Sequence, residues 1–175
     1  TETPLTTDGS LILYTWNDAE GKKAFWHSTS HVMAQALEEL YPGIKLTLGP
    51  AIANGFYYDV DFEDQKIVEA DFKKIEDRVL EISREKHEFK MRPVSKADAL
   101  EMYKDNVYKT ELISNLEDGT ITFCDHSTFT DLCRGGHIPN TGIIKAFKIM
   151  SVAGAYWRGD EKNKQLTRVY GTSFP

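Results

Sequence analysis

Residues 146–174, AFKIMSVAGAYWRGDEKNKQLTRVYGTSF, constrain the fold more than any other stretch. Two long runs rich in strand formers flank the polar turn GDEKNK, the pattern of a long antiparallel hairpin. Upstream elements are mixed. Residues 25–40, FWHSTSHVMAQALEEL, read as a helix with Trp26, Met33, Leu37 and Leu40 on one stripe, ended by Tyr41-Pro42-Gly43. His27 and His31 follow that stripe by one residue, at its edge. Residues 44–62, IKLTLGPAIANGFYYDVDF, give two strand-like pieces around Gly-Pro and Asn-Gly turn signals, with Tyr58 and Val60 on one face and Tyr57 and Asp59 on the other. Residues 69–90 predict an amphipathic helix buried through Phe72, Ile75, Val79, Ile82 and Phe89. Ser95 and Asp98 start a short helix in the manner of a capping box. A further helix is expected in ELISNL after Lys109, then a turn and strand in EDGTITFCDH, while DGSLILYTW near the front reads as a turn and a lone strand. Helices and antiparallel strands intersperse without regular alternation, so the expected class is α+β, an antiparallel sheet packed with helices.

At 175 residues the chain suffices for one sizeable core, or one core with a small appendage. It contains no run of about 18 apolar residues, so no membrane span is expected. With two cysteines, Cys124 and Cys133, and no basic-then-apolar leader, a cytoplasmic protein with reduced thiols is expected. The chain does not begin with Met, and an excised piece of a longer protein is expected. Its net charge of −6 argues against a duplex-wrapping protein. Yet residues 134–175 carry seven Lys or Arg against two Asp or Glu, a surplus of +5 that leaves −11 elsewhere. A basic last quarter of that kind suits one short piece of a polyanion.

HSTSH, residues 27–31, places His27 and His31 on one side of a helix. It differs from the zinc-protease signature because Ser28 stands where that motif needs a Glu base. DLCRGGHIPN repeats the interval with Cys133 and His137, and Gly135-Gly136 argues for a bent backbone. His27, His31, Cys133 and His137 together offer enough nitrogen and sulfur donors for tetrahedral zinc. Asp131 falls on the strand side of Cys133. Residue types alone leave a zinc staple and a catalytic pocket equally open.

HSTSH and CRGGH, with GPAIANGFYYDVDF, AGAYWRGDEKNKQLTRVYGTSF and the spacing between them, closely resemble the editing domain of bacterial threonyl-tRNA synthetases. The resemblance runs from about Asp18 to Phe174. It implies an editing domain over residues 18–175, preceded in residues 1–17 by the tail of a small ubiquitin-like module. HxxxH with CxxxH alone also fits the related alanyl-tRNA editing proteins, whose free-standing members usually bind zinc. The implied activity is hydrolysis of serine wrongly esterified to threonine tRNA. One methylene is worth only about 10–200-fold in discrimination, so a second site that admits serine and excludes threonine supplies the rest.

Carried over by position, the resemblance puts His27, His31, Lys109 and Asp131 in catalysis and Tyr58, Cys133 and His137 in substrate binding. His27, with Asp131, would position or deprotonate water. Lys109 would stabilise negative charge or protonate the leaving ribose oxygen. His31 and His137 would orient partners or hold the terminal adenosine; Cys133 would grip the serine, and Tyr58 would border the side-chain pocket. The resemblance implies no cofactor for editing, and the Lys109 ammonium would repel a metal at the quartet. ATP and zinc would belong to an aminoacylation domain elsewhere in the parent. Implied partners are the 3′ acceptor end of threonine tRNA and the remaining synthetase domains, in a homodimeric parent. The alternatives are a zinc-dependent alanyl-type deacylase, a non-catalytic module that docks the acceptor end, and a zinc-stapled structural domain. Trp26, Tyr156 and Trp157 read as packing residues, His87 and His126 as surface or capping residues. Arg158, Lys162, Lys164 and Arg168 read as a solvated hairpin face or a phosphate contact.

Overall fold

A computed structural model describes residues 4–175. The element order is α1 (Ala19–Leu40), β1 (Lys45–Leu46), β2 (Ala51–Ile52), β3 (Gly55–Asp61), α2 (Phe72–Arg84), β4 (Lys90–Pro93), α3 (Lys96–Met102), α4 (Val107–Ser114), β5 (Thr122–His126), β6 (Phe129–Leu132), β7 (Ala146–Tyr156) and β8 (Gln165–Phe174). Two antiparallel sheets result. The larger runs β1-β3-β8-β7 with β2 also on β3, and the smaller runs β4-β5-β6. The class is α+β, as expected.

The helix α1 is buried almost all round from Phe25 to Leu37, far beyond the expected stripe. A helix enclosed on all sides belongs to the centre of a fold. Its small hydroxyl residues are satisfied locally: Thr29 Oγ1 donates to Phe25 O at 3.0 Å, and Ser30 Oγ reaches His27 O at 2.7 Å and Gly49 O at 2.9 Å. Val32, Met33 and Leu37 join Phe56, Val60, Ile75, Val79, Ile82 and Val169 in the main core. A second core of Ala99, Ile113, Ile121 and Phe123 ties α3 and α4 to the small sheet.

The hairpin forms as its pattern predicts, with a register shift between Ile149 and Ser151. Its free edge is closed at one point by α2, where the buried Glu76 carboxylate accepts the Ile149 N–H at 3.1 Å. Three expectations are corrected. The 69–90 helix is a short 3-10 turn followed by α2, which stops at Arg84; Lys86 then adopts φ 59°, and Phe89 leaves the helix to stack on His137. The run after Lys109 belongs to a helix that already starts at Val107, because Asn106 caps it by accepting the Tyr108 and Lys109 N–H groups. LILYT forms no strand: Leu11, Ile12 and Leu13 are exposed, and among the described residues no strand lies beside them. Strand formers without a neighbour have no ladder to join. The end of this segment is anchored by Trp16, edge-on to Phe25, Trp26 and Phe174, and by Thr15, which is hydrogen-bonded to Asp18. Residues 1–3 of the expected 1–17 unit lie outside the described residues.

Candidate active site

Four separate elements bring the candidate residues together. α1 supplies His27 and His31, β3 supplies Tyr58, α4 supplies Lys109, and β6 with the loop after it supplies Asp131, Cys133 and His137. Six of the seven line one cavity of about 370 Å³; His137 stands behind Cys133, stacked between His27 and Phe89.

Asp131 is the hub. One carboxylate oxygen accepts from the Lys109 ammonium and, at 2.8 Å, from the Leu132 N–H. The other accepts from Tyr58 OH at 2.6 Å and lies 2.9 Å from His31 Nδ1. That last approach is close enough for an ion pair but off-line for a hydrogen bond. Tyr58, Lys109, Asp131 and His31 are all buried. A buried charge survives only when paired. Burial would raise Asp131, but Lys109 and His31 hold its carboxyl well below the usual carboxylate range. Burial alone would likewise lower His31; the charge of Asp131, aided by Cys133, overrides it and carries His31 to about 9. Lys109 has three N–H donors. Asp131 takes one and Tyr58 OH, at 3.3 Å, another, which leaves a third for a ligand.

The second cluster contains the sulfur. Cys133 Sγ lies 3.1 Å from His137 Nε2 and 3.6 Å from His27 Nε2, and it accepts the Gly135 N–H at 3.2 Å. Burial favours the neutral thiol, but His137, His27 and His31 bring Cys133 down to about 4, a thiolate at neutral pH. The two clusters meet where His27 Nε2 and His31 Nε2 approach to 3.1 Å. Gly135 and Gly136, at φ 100° and 82°, make the bend that returns His137 to Cys133. Ser28 locks that bend to α1: its Oγ accepts the Ile138 N–H at 3.0 Å and touches His137 Nδ1 at 3.1 Å.

The donor atoms of His27, His31, Cys133 and His137 all lie within 4.8 Å of one another. This donor set fits tetrahedral zinc, and the carboxylate of Asp131 at the second ring nitrogen of His31 is the outer support such ligands use. The expected repulsion by Lys109 is weakened, because Asp131 neutralises the ammonium.

Other residues fall differently from expectation. His31 lines the cavity from a buried position against Asp131, and His137 lies outside the lining, behind Cys133. His126 is neither exposed nor a cap: it is buried beside Phe89 and Phe129, both ring nitrogens lack partners, and burial pushes it down to about 3. The hairpin cations are mostly spent. Arg168 grips Asp59 through two bonds of 2.7 and 2.8 Å, Lys164 pairs with Asp61 at 2.7 Å, and Arg158 pairs with Glu111 at 2.8 Å. Trp157 packs against Tyr108 and donates to Glu111 at 2.9 Å, so the hairpin tip buttresses the helix that carries Lys109. Trp26 is buried with its Nε1–H on Ser173 O, whereas Tyr156 is exposed. Sequence reasoning passed over Ser28, Arg134 and the apolar walls Leu112 and Leu116. Ser28 had a signal, since its hydroxyl stands between two site histidines on one helix.

In this α+β chain, with a His/Cys quartet beside a buried Lys–Asp pair, residues 120–170 match the family described as the threonyl and alanyl tRNA synthetase second additional domain. Over all 175 residues it is 94% identical to a threonine–tRNA ligase of Flavobacterium johnsoniae, covering 27% of that protein. It is 59% identical over 174 residues to a threonine–tRNA ligase of Parabacteroides distasonis, with 98% of this chain and 27% of the relative covered. The chain thus spans about a quarter of the length of these curated relatives. Among the described residues no helix is long and apolar enough to cross a membrane.

Proposed function

We propose that this chain is an editing hydrolase that cleaves the ester of serine misattached to threonine tRNA, within a cytoplasmic parent that charges that tRNA with threonine. The observation that carries the reading is the convergence of His27, Lys109, Asp131 and Cys133, up to 106 residues apart in the chain, on one cavity of about 370 Å³. The match of residues 120–170 to the synthetase additional domain and the likeness to threonine–tRNA ligases support it. Residues 4–17 would be the end of a preceding module and residues 18–175 the editing unit; the remaining domains, ATP use and homodimer contacts would belong to the rest of the parent.

The chemistry needs a positioned water, a charge partner for the carbonyl oxygen, and a proton for the leaving ribose oxygen. His27 borders the cavity with its Nε2 against His31 and Cys133, and it would be the group that holds and deprotonates water. The unused donor of Lys109 points the positive charge needed at the carbonyl or leaving oxygen. Asp131 accepts three hydrogen bonds and faces His31 as an ion pair, and it serves as the positioning residue for Lys109 and His31. Tyr58 is held rigidly by Asp131 on the cavity wall, where it borders the side chain and excludes an added methyl. The site is proposed to work without a metal.

Single-turnover deacylation with seryl- and threonyl-charged threonine tRNA tests this. Hydrolysis of the seryl ester well above that of the threonyl ester is expected; equal inertness toward both would leave only acceptor-end binding. The compact four-donor set favours a second reading, a zinc-dependent alanyl-type deacylase. There His27, His31, Cys133 and His137 would hold zinc, which would polarise the carbonyl and acidify water. About one tightly held zinc per chain, with preference for alanine-charged tRNA, would select that reading.

A further inference from the structure

The lining of the cavity contains two permanent cations, Lys109 and Arg134, and a single carboxylate, Asp131. Lys109 and Asp131 neutralise each other out of solvent. Arg134 is exposed, and among the described residues it makes neither an ion pair nor a side-chain hydrogen bond. Of the six other cations in the basic last quarter, four are in ion pairs, Lys148 with Glu76, Arg158 with Glu111, Lys164 with Asp61 and Arg168 with Asp59; Lys145 bonds the Gly142 carbonyl and Lys162 is exposed at the hairpin tip, and neither lines the cavity. The lining of the cavity therefore presents one uncommitted guanidinium and no carboxylate other than the paired Asp131.

We infer that Arg134 is the anchor for a phosphodiester of a single-stranded RNA end entering this cavity. A guanidinium pairs with two phosphate oxygens through parallel N–H bonds, which sets orientation as well as charge. Arg134 follows Cys133 directly and lines the same cavity as His27 and Lys109, so an anion held there would sit at the cavity that contains both groups. The assignment rests on the tRNA-ester reading above, and its test separates the two.

Anisotropy of a labelled single-stranded RNA tetranucleotide ending in adenosine is followed through a potassium chloride series with the 175-residue chain. Arg134→Gln is expected to weaken binding roughly tenfold at low salt. The slope of log K against log salt falls by about 0.7, the value for one single-strand phosphate. Lys162→Gln, at the exposed hairpin tip, leaves both unchanged. In deacylation, Arg134→Gln raises KM for seryl-tRNA with kcat preserved, and does not affect seryl-adenosine, which has no phosphate. An unaltered salt slope, undetectable binding by the parent chain, or an equal loss on seryl-adenosine each overturns the inference. Failure of the unaltered chain to hydrolyse either ester overturns the editing reading alone, since the salt slope still decides Arg134.

Discussion

Two opposed charge pairs govern the site at the level of single residues. Removing the Asp131 carboxylate strands the Lys109 ammonium in the interior, so Asp131→Asn is expected to cost about 3–5 kcal/mol. The double variant Asp131→Asn with Lys109→Met should recover part of that loss, as urea unfolding of the four-member cycle will show. The pH dependence follows from Cys133 and His31 together. Cys133, lowered from 9.0 to about 4, binds a proton only in the unfolded chain between those values, so its contribution grows with pH there and is lost as pH falls through 4. His31, raised from 6.5 to about 9, holds a proton only in the folded chain over its own window, so its contribution is full below 6.5 and lost as pH rises through 9. From pH 6.5 to 9 the two slopes oppose each other. Urea midpoints of the unaltered chain should therefore vary little across that window on their account, whereas those of Cys133→Ser should fall as pH rises. Residue types and the family pattern made the quartet legible in advance. The partnering of Asp131 was not, because His31 of α1, Tyr58 of β3 and Lys109 of α4 meet it only after folding.

Among the elements, α4 has the most dependent position. It is eight residues long, too short to persist alone, and it is held by the Asn106 cap and the hairpin tip. Asn106→Ala is expected to cost about 1 kcal/mol by thermal or urea unfolding and to slow seryl ester hydrolysis through Lys109. Trp157→Ala removes a buried indole and its bond to Glu111, with an expected loss of about 3–5 kcal/mol. The hairpin was readable because two long runs around a polar turn leave few other solutions. The end of α2 was not: Phe89 keeps the helical spacing, but Lys86 turns the chain and packing against His137 and His126 claims the ring. LILYT shows the same limit from the other side, since strand formers become a strand only when another strand is within reach.

Over the whole molecule, charge arrangement matters more than charge count. The basic last quarter is real in composition, yet its cations are largely consumed in binding the hairpin to the acidic body. Asp59 and Asp61 on β3 receive Arg168 and Lys164 across the sheet. Arg168→Gln should cost about 1–3 kcal/mol in unfolding free energy, because it leaves the buried Asp59 unpaired, and this loss is a matter of stability before it is one of RNA affinity. Local sequence by itself determined what short-range physics controls: the hairpin, the α1 helix, the capped start of α3, the α+β class and the four nitrogen and sulfur donors. Tertiary structure alone decided which charges are free, which histidines are buried, and that Asp131 joins Lys109 to His31, because burial and ion pairing depend on groups distant in the chain.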